Sequence, residues 1–326
     1  MKTNKVIFSL TATLLIGSLI FTSCKKKQEV KNEDGQSSTD SRNVQSENDN
    51  ATSDVNTVVG NNTSLHGRSA STNSTNDINT ALGITSTGYT IDTTGAYIGT
   101  IKINYDGTVI NNRKREGSIR LTIVNYAGGQ RWKQAGCVLK VDYIDYKVTR
   151  SSDGKSVKLN GTQNITNITG GSWFELILLK TQASLATSVT GTNLNITFED
   201  GKTAVYNINR KFTYTFPNNV LTCTGEGIGS DNSLNNLENY GTTRDGDAFT
   251  SQVSTPIVWN WTCGAWAPVQ GYVIVQVAGK DFSLKCTFGV NSAGNVVTPV
   301  ANSCPYGWKI EWNIKADKSS KVIAYI

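Results

Sequence analysis

The chain has 326 residues, a formal net charge of +6, six cysteines, seven tryptophans and one histidine, His66. That single histidine lies in a stretch with no mark of a packed core, so the aromatic part of the chain is left without a Ser-His-Asp or Cys-His relay or a usual zinc site. No His-Glu-x-x-His, Gly-x-x-x-x-Gly-Lys-Ser/Thr or Gly-x-Ser-x-Gly occurs, and no nucleic-acid-binding motif accompanies the positive charge.

The N-terminus carries Lys2 and Lys5, then an apolar run from Val6 to Phe21, then Thr22-Ser23-Cys24. A basic start, a short apolar stretch and small residues before a cut site are the marks of a secretory signal, and the run is too short to span a bilayer. The ending resembles a bacterial lipobox. That resemblance implies cleavage after residue 23, diacylglyceryl transfer to the Cys24 sulfur, and a lipid anchor in the outer membrane, with Cys24 serving attachment rather than catalysis.

Residues 24–82 are rich in Asn, Ser, Thr, Asp and Gln and contain no Trp, Tyr or Phe. Val30, Val44, Val55, Val58, Val59 and Leu65 read as scattered, without a helical or strand period. Such a segment buries too little surface to offset its conformational entropy, so it reads as a disordered tether. Lys25, Lys26 and Lys27 follow the anchor and suit anionic headgroups. The leader contributes +2 and residues 25–82 contribute −2, so the rest of the chain carries the whole +6.

From residue 83 the pattern changes to alternation of apolar and polar residues. Ile101–Tyr105, Ser118–Ile123 and Val138–Val148 read as strands. Leu194–Phe198 and Ala204–Asn209 flank Glu199-Asp200-Gly201-Lys202 and read as a hairpin. Further strands are expected at Val273–Val277, Phe282–Phe288, Trp308–Ile314 and Val322–Ile326. The apolar run Leu176–Leu179 reads as a buried strand, and no segment reads as a convincing helix. Residues 83–326 are therefore expected to form an all-β, antiparallel, sandwich-like domain, and a break near Pro217 would divide it into two packed halves.

Five cysteines follow Cys24, in a compartment that permits disulfides. Cys263 with Cys304 is the favoured bridge, Cys263 with Cys286 the other option, and Cys137 reads as a small core residue. Trp259 and Trp261 would share one side of a strand, with Trp266 nearby, as a face on which sugar rings or other planar groups stack; the competing role for these indoles is core filling. Carboxylates suited to two-acid hydrolysis include Glu116, Glu175, Glu199, Glu226, Glu238, Asp245, Asp247 and Glu311, but most fall in turns. No cofactor, metal site or catalytic residue is expected.

Arg115-Glu116-Gly117-Ser118-Ile119, Val141–Val148, Leu159–Asn167 and Asp200-Gly201-Lys202-Thr203 leading to Tyr206–Arg210 resemble a recurrent type of β-rich lipoprotein from the Bacteroidetes, over about residue 97 to the C-terminus. The resemblance implies a β-rich envelope lipoprotein and carries no catalytic residues to transfer. Two expectations follow. The first is a membrane-anchored, non-enzymatic protein whose β-domain binds a glycan or another envelope component. The second is a structural protein of the outer membrane that contacts partner proteins, with a carboxylate hydrolase as a third, remoter reading.

Overall fold

The computed structural model describes residues 35–67, 77–84, 87–231, 233–265, 267–280, 283–297, 303–314 and 317–325. Cys24 and Trp266 lie outside these described residues. Three helices come first: α1 (Gln36–Asn61), α2 (Thr63–His66) and α3 (Asp77–Ala81). Then follow β1 (Tyr89–Asp92), β2 (Thr100–Ile110), β3 (Arg113–Ile123), β4 (Val138–Arg150), β5 (Ser156–Asn167), β6 (Ser184–Phe198), β7 (Thr203–Thr215) and β8 (Thr222–Gly227). The rest are β9 (Gly229–Asp231), β10 (Leu234–Thr242), β11 (Ala248–Asn260), β12 (Pro268–Val277), β13 (Ser283–Val290), β14 (Gly307–Ile314) and β15 (Asp317–Ala324).

The protein is antiparallel β in class. All fifteen strands belong to one sheet, in which nearly every strand pairs with its neighbour in sequence. The turn at Pro217–Asn219 joins β7 to β8, which pair with each other, and β10 also pairs with β7, so the sheet runs unbroken across that point. The 199–202 turn closes a hairpin with Thr197 opposite Thr203. The two-residue turn of β2–β3 is Asn111-Asn112, with φ of 49° and 62°, the double left-handed geometry that matches strand twist. At Gly117 (φ 86°) the β3–β4 register slips, and a Cβ there would lie 2.1 Å from the Asp145 carbonyl oxygen, so the bulge requires glycine.

The sheet folds around α1, and this corrects two expectations: that residues 24–82 are disordered throughout, and that the chain has no helix. From Gln36 to Asn61 the chain is helical and largely buried. Val44, Ala51, Val55, Val58 and Val59 fall on one helical stripe and join the core with Ile103, Leu121 and Leu139. Asn48 completes the stripe as a polar member, donating to the Tyr143 hydroxyl and to Gln163 Oε1, both at 3.0 Å.

The other faces of α1 are polar, and the sheet meets them with arginines. Arg113 pairs with Glu47 at 3.0 Å, Arg115 with Asp54 at 2.5 Å, and Arg244 with Asp40 at 2.6 Å. Arg210 pairs with Asp49, and in the reverse sense Arg42 of α1 pairs with Glu238 of β10. The helix thus touches strands from both halves of the sheet. Much of the positive charge of the β-region is the counter-charge of this helix. A buried ion pair adds little over an apolar one, but losing one partner costs about 3 to 5 kcal/mol, so the pairs specify the helix position strongly.

Leu176–Leu179 is not a strand. Phe174–Leu179 forms a π-helical turn, whose start is held by the Ser172 hydroxyl accepting from the Phe174 N–H at 3.0 Å. Phe174, Leu176 and Ile177 are buried and Leu179 is exposed, a one-sided pattern that a helical turn satisfies and a fully buried strand does not. Among the described residues no helix is long and apolar enough to cross a membrane.

Candidate functional site

A partly enclosed cleft of about 390 Å³ lies beside the C-terminal half of α1. Its size falls within the range of small-ligand sites. One wall is α1, through Asn50, Ser53 and Asp54. A second is the β2–β3 hairpin, through Ile110, Asn111, Arg113 and Arg115, and α3 and the segment after it contribute Asn79, Leu82 and Thr87. The remaining wall is the turn Trp261–Cys263, with Cys304 behind it.

Local chemistry places each group. Asn260 caps the Trp261–Cys263 turn, its side chain accepting from the Thr262 N–H at 3.0 Å and the Thr262 hydroxyl at 2.7 Å. Cys263 and Cys304 are joined by a disulfide with a Cα–Cα distance of 5.4 Å, which ties this turn to the segment before β14. Trp261 packs edge-on against Trp173, ring centroids 5.5 Å apart, so the indole is braced while still lining the cleft.

Asp54 is the only carboxylate on the cleft wall among the described residues. Its Oδ2 accepts from Arg115 at 2.5 Å and from the Tyr105 hydroxyl at 2.8 Å. Burial pushes the Asp54 carboxyl above its ordinary value, against the opposing pull of Arg115 and Tyr105. Arg115 also donates to the Thr87 carbonyl at 2.9 Å. The cleft therefore offers one aromatic face, one braced ion pair, and amide and hydroxyl groups, a set suited to holding a neutral, hydroxyl-rich molecule.

Trp259 is not part of this wall. It is 3 % exposed, with its ring against Phe212 (centroids 6.0 Å apart) and under the Arg210 guanidinium. Because β11 ends at Asn260 and the turn begins at Trp261, the two indoles do not share a strand face. The expectation that Trp259 stacks on a ligand is therefore corrected to a core role. Cys137, Cys223 and Cys286 are free and buried. Burial raises all three thiols, Cys137 and Cys286 to about 11, which makes them poor nucleophiles.

The carboxylates singled out from the sequence do not form a catalytic pair in the cleft. Glu116 pairs with Lys114, Glu226 with Lys211, Glu311 with Lys309, Asp245 with Lys202, Glu199 with Arg244 and Glu238 with Arg42.

His66, by contrast, joins a constellation invisible in the sequence. Its Nε2 lies 2.9 Å from Ser172 Oγ and 3.0 Å from Glu175 Oε2, while Ser172 donates to Glu175 at 2.7 Å. A relay needs serine and carboxylate on opposite ring nitrogens. Here both meet Nε2, and Nδ1 has no hydrogen-bond partner. With the serine proton committed to Glu175, Nε2 can only donate. Burial disfavours the Glu175 carboxylate, yet the bonds from His66 and Ser172 outweigh it and hold the group below its usual range. His66 and Ser172 are fully buried, so the cluster fastens α2 to the π-helical turn.

No family model, no curated protein and no solved structure matches this chain.

Proposed function

We propose that the protein is a non-enzymatic envelope lipoprotein, anchored in the outer membrane through Cys24, whose β-domain binds a glycan or similar polyhydroxylated component in the α1–Trp261 cleft. The observation that carries this reading is the cleft itself: a braced indole faces amide and hydroxyl groups of α1 and the β2–β3 hairpin, in a cavity of about 390 Å³. An indole face with hydrogen-bonding groups around it suits a sugar ring, whose C–H faces are apolar and whose rim is polar. The lipobox-like leader supports the address.

The test is a glycan array, followed by calorimetry on the hits with wild type and Trp261→Ala. Saturable binding that the substitution abolishes supports the reading. No hit on the array, or affinity unchanged in the variant, refutes it.

The alternative, an envelope protein that contacts other proteins, draws on a separate feature. Tyr97, Ile98 and Val124 are exposed next to one another at the β2–β3 end of the sheet, Ile98 and Val124 being linked through the Ile123 N–H to Gly99 carbonyl bond. Substituting all three with serine should abolish co-purification of a partner from detergent extracts if that reading is right.

A further inference from the structure

Nearer the N-terminal half of α1, and sharing Arg113 with the cleft, is a smaller, partly enclosed cavity of about 50 Å³. Four arginines line it, Arg42, Arg113, Arg150 and Arg210, with Asp49 as the one carboxylate on its wall. Glu238 and Glu47 stand behind as partners of Arg42 and Arg113, and Asp153 takes the outer edge of Arg150 at 2.8 Å. Each of the four arginines therefore has one carboxylate partner, Arg210 with Asp49 among them.

Four buried N–H groups of the lining residues have no hydrogen-bond partner, Arg210 Nη2 and Nε, Arg42 Nε and Trp259 Nε1, and one buried acceptor behind them, Glu238 Oε2, is likewise unpaired. Arg210, Arg42 and Trp259 are 1 %, 6 % and 3 % exposed. Arg210 Nη1 is held by Asp49, and its Nε lies 3.6 Å from Glu238 Oε2, too far for a hydrogen bond. A buried donor left unsatisfied costs about 1 to 3 kcal/mol, and four donors on residues of one cavity outnumber the single unpaired oxygen of Glu238, so they demand a further acceptor. The position of Arg210 depends on Gly225: a Cβ there would lie 2.7 Å from the Trp259 ring and 3.4 Å from Arg210 Nη2. Part of the wall is apolar, with Phe288, Trp308 and Ile323.

We propose that this cavity is a binding site for a carboxylate, which accepts from the unpaired N–H groups of Arg210, Arg42 and Trp259. The carboxylate belongs either to a small free acid or to the head of a larger molecule whose apolar remainder lies along Phe288 and Trp308. Guanidinium recognition of a carboxylate is charge-assisted, and the dry walls strengthen it. This site does not depend on the glycan reading of the cleft.

The test is calorimetry and thermal unfolding of the protein with sodium acetate and sodium butyrate, at ionic strength held constant with sodium chloride. The variants are Trp259→Phe, which removes one donor and keeps a ring, and Ala324→Leu, which adds bulk to the cavity wall from β15. Saturable binding is expected, weakened about tenfold by the loss of one donor in Trp259→Phe and by at least as much in Ala324→Leu. Equal affinities for the two acids identify a free small carboxylate, and tighter butyrate identifies the head of a larger ligand. Stabilisation that does not saturate, or affinity unchanged in both variants, overturns the proposal.

Discussion

Asp54 of α1 accepts a hydrogen bond from Arg115 of β3 at 2.5 Å, across 61 residues of sequence. Both side chains are largely shielded from water, so each is the other's counter-ion in a site that would otherwise reject a charge. Arg115→Ala is expected to destabilise the protein by about 3 kcal/mol in urea unfolding, because it leaves Asp54 unpaired. The double variant Asp54→Asn with Arg115→Ala should lose less than the sum of the single losses. Strict additivity would mean that the pair does not hold the helix.

Asp49 makes stability depend on pH. Burial pushes its carboxyl up to about 6 from the ordinary 3.8, with Arg210 opposing. A raised folded-state value means the folded protein takes up a proton between about pH 6 and pH 4 that the unfolded chain does not. The stabilisation is complete below pH 4 and is lost as pH rises through 6. Between pH 7 and pH 4, wild type should therefore gain up to about 3 kcal/mol relative to Asp49→Asn. Urea midpoints measured across that window would show it, and a constant difference would count against it.

The Cys263–Cys304 bridge closes a loop with a sequence separation of 41. Loop-closure entropy for that length is worth about 4 kcal/mol at most. Replacing both cysteines with serine should lower the unfolding midpoint accordingly and weaken any ligand of the α1–Trp261 cleft, since the bridge forms its back wall. Thiol titration of the intact protein should find Cys137, Cys223 and Cys286 unreactive until unfolding.

Trp259 and Trp261 should respond differently to truncation. Trp259→Ala removes a core ring and is expected to cost about 3 to 5 kcal/mol. Trp261, half-buried on the cleft wall, should cost less in stability and more in ligand affinity. Equal stability losses with no effect on binding would assign both indoles to the core.

Ser172 should behave as a structural hydroxyl. A fluorophosphonate probe is expected to leave it unlabelled, and Ser172→Ala should cost about 1 kcal/mol from the lost bond to the Phe174 N–H. Stoichiometric labelling at Ser172 would reverse this assignment.

The antiparallel β class was legible because strand alternation is a local signal: each residue's neighbours two positions away report which face is wet. Ile101–Tyr105, Val138–Val148 and the hairpin about residues 199–202 carried it in plain view. A trace of α1 was there too, in the spacing of Val44, Ala51, Val55 and Val58, but Asn48 breaks the stripe and Asn, Ser, Thr and Asp elsewhere in it favour caps and turns over helix interiors. What makes that segment helical is distant: Arg113 and Arg115 of β3, Arg210 of β7 and Arg244 of the β10–β11 turn arrive from far along the chain and turn a polar stretch into the centre of the protein. The grouping of His66 with Ser172 and Glu175, and of Trp261 with Asp54, has the same origin. Local periodicity determined that this chain makes strands; only the closing of the sheet around α1 decided which charges meet, because Coulombic and hydrogen-bond partners are chosen in space.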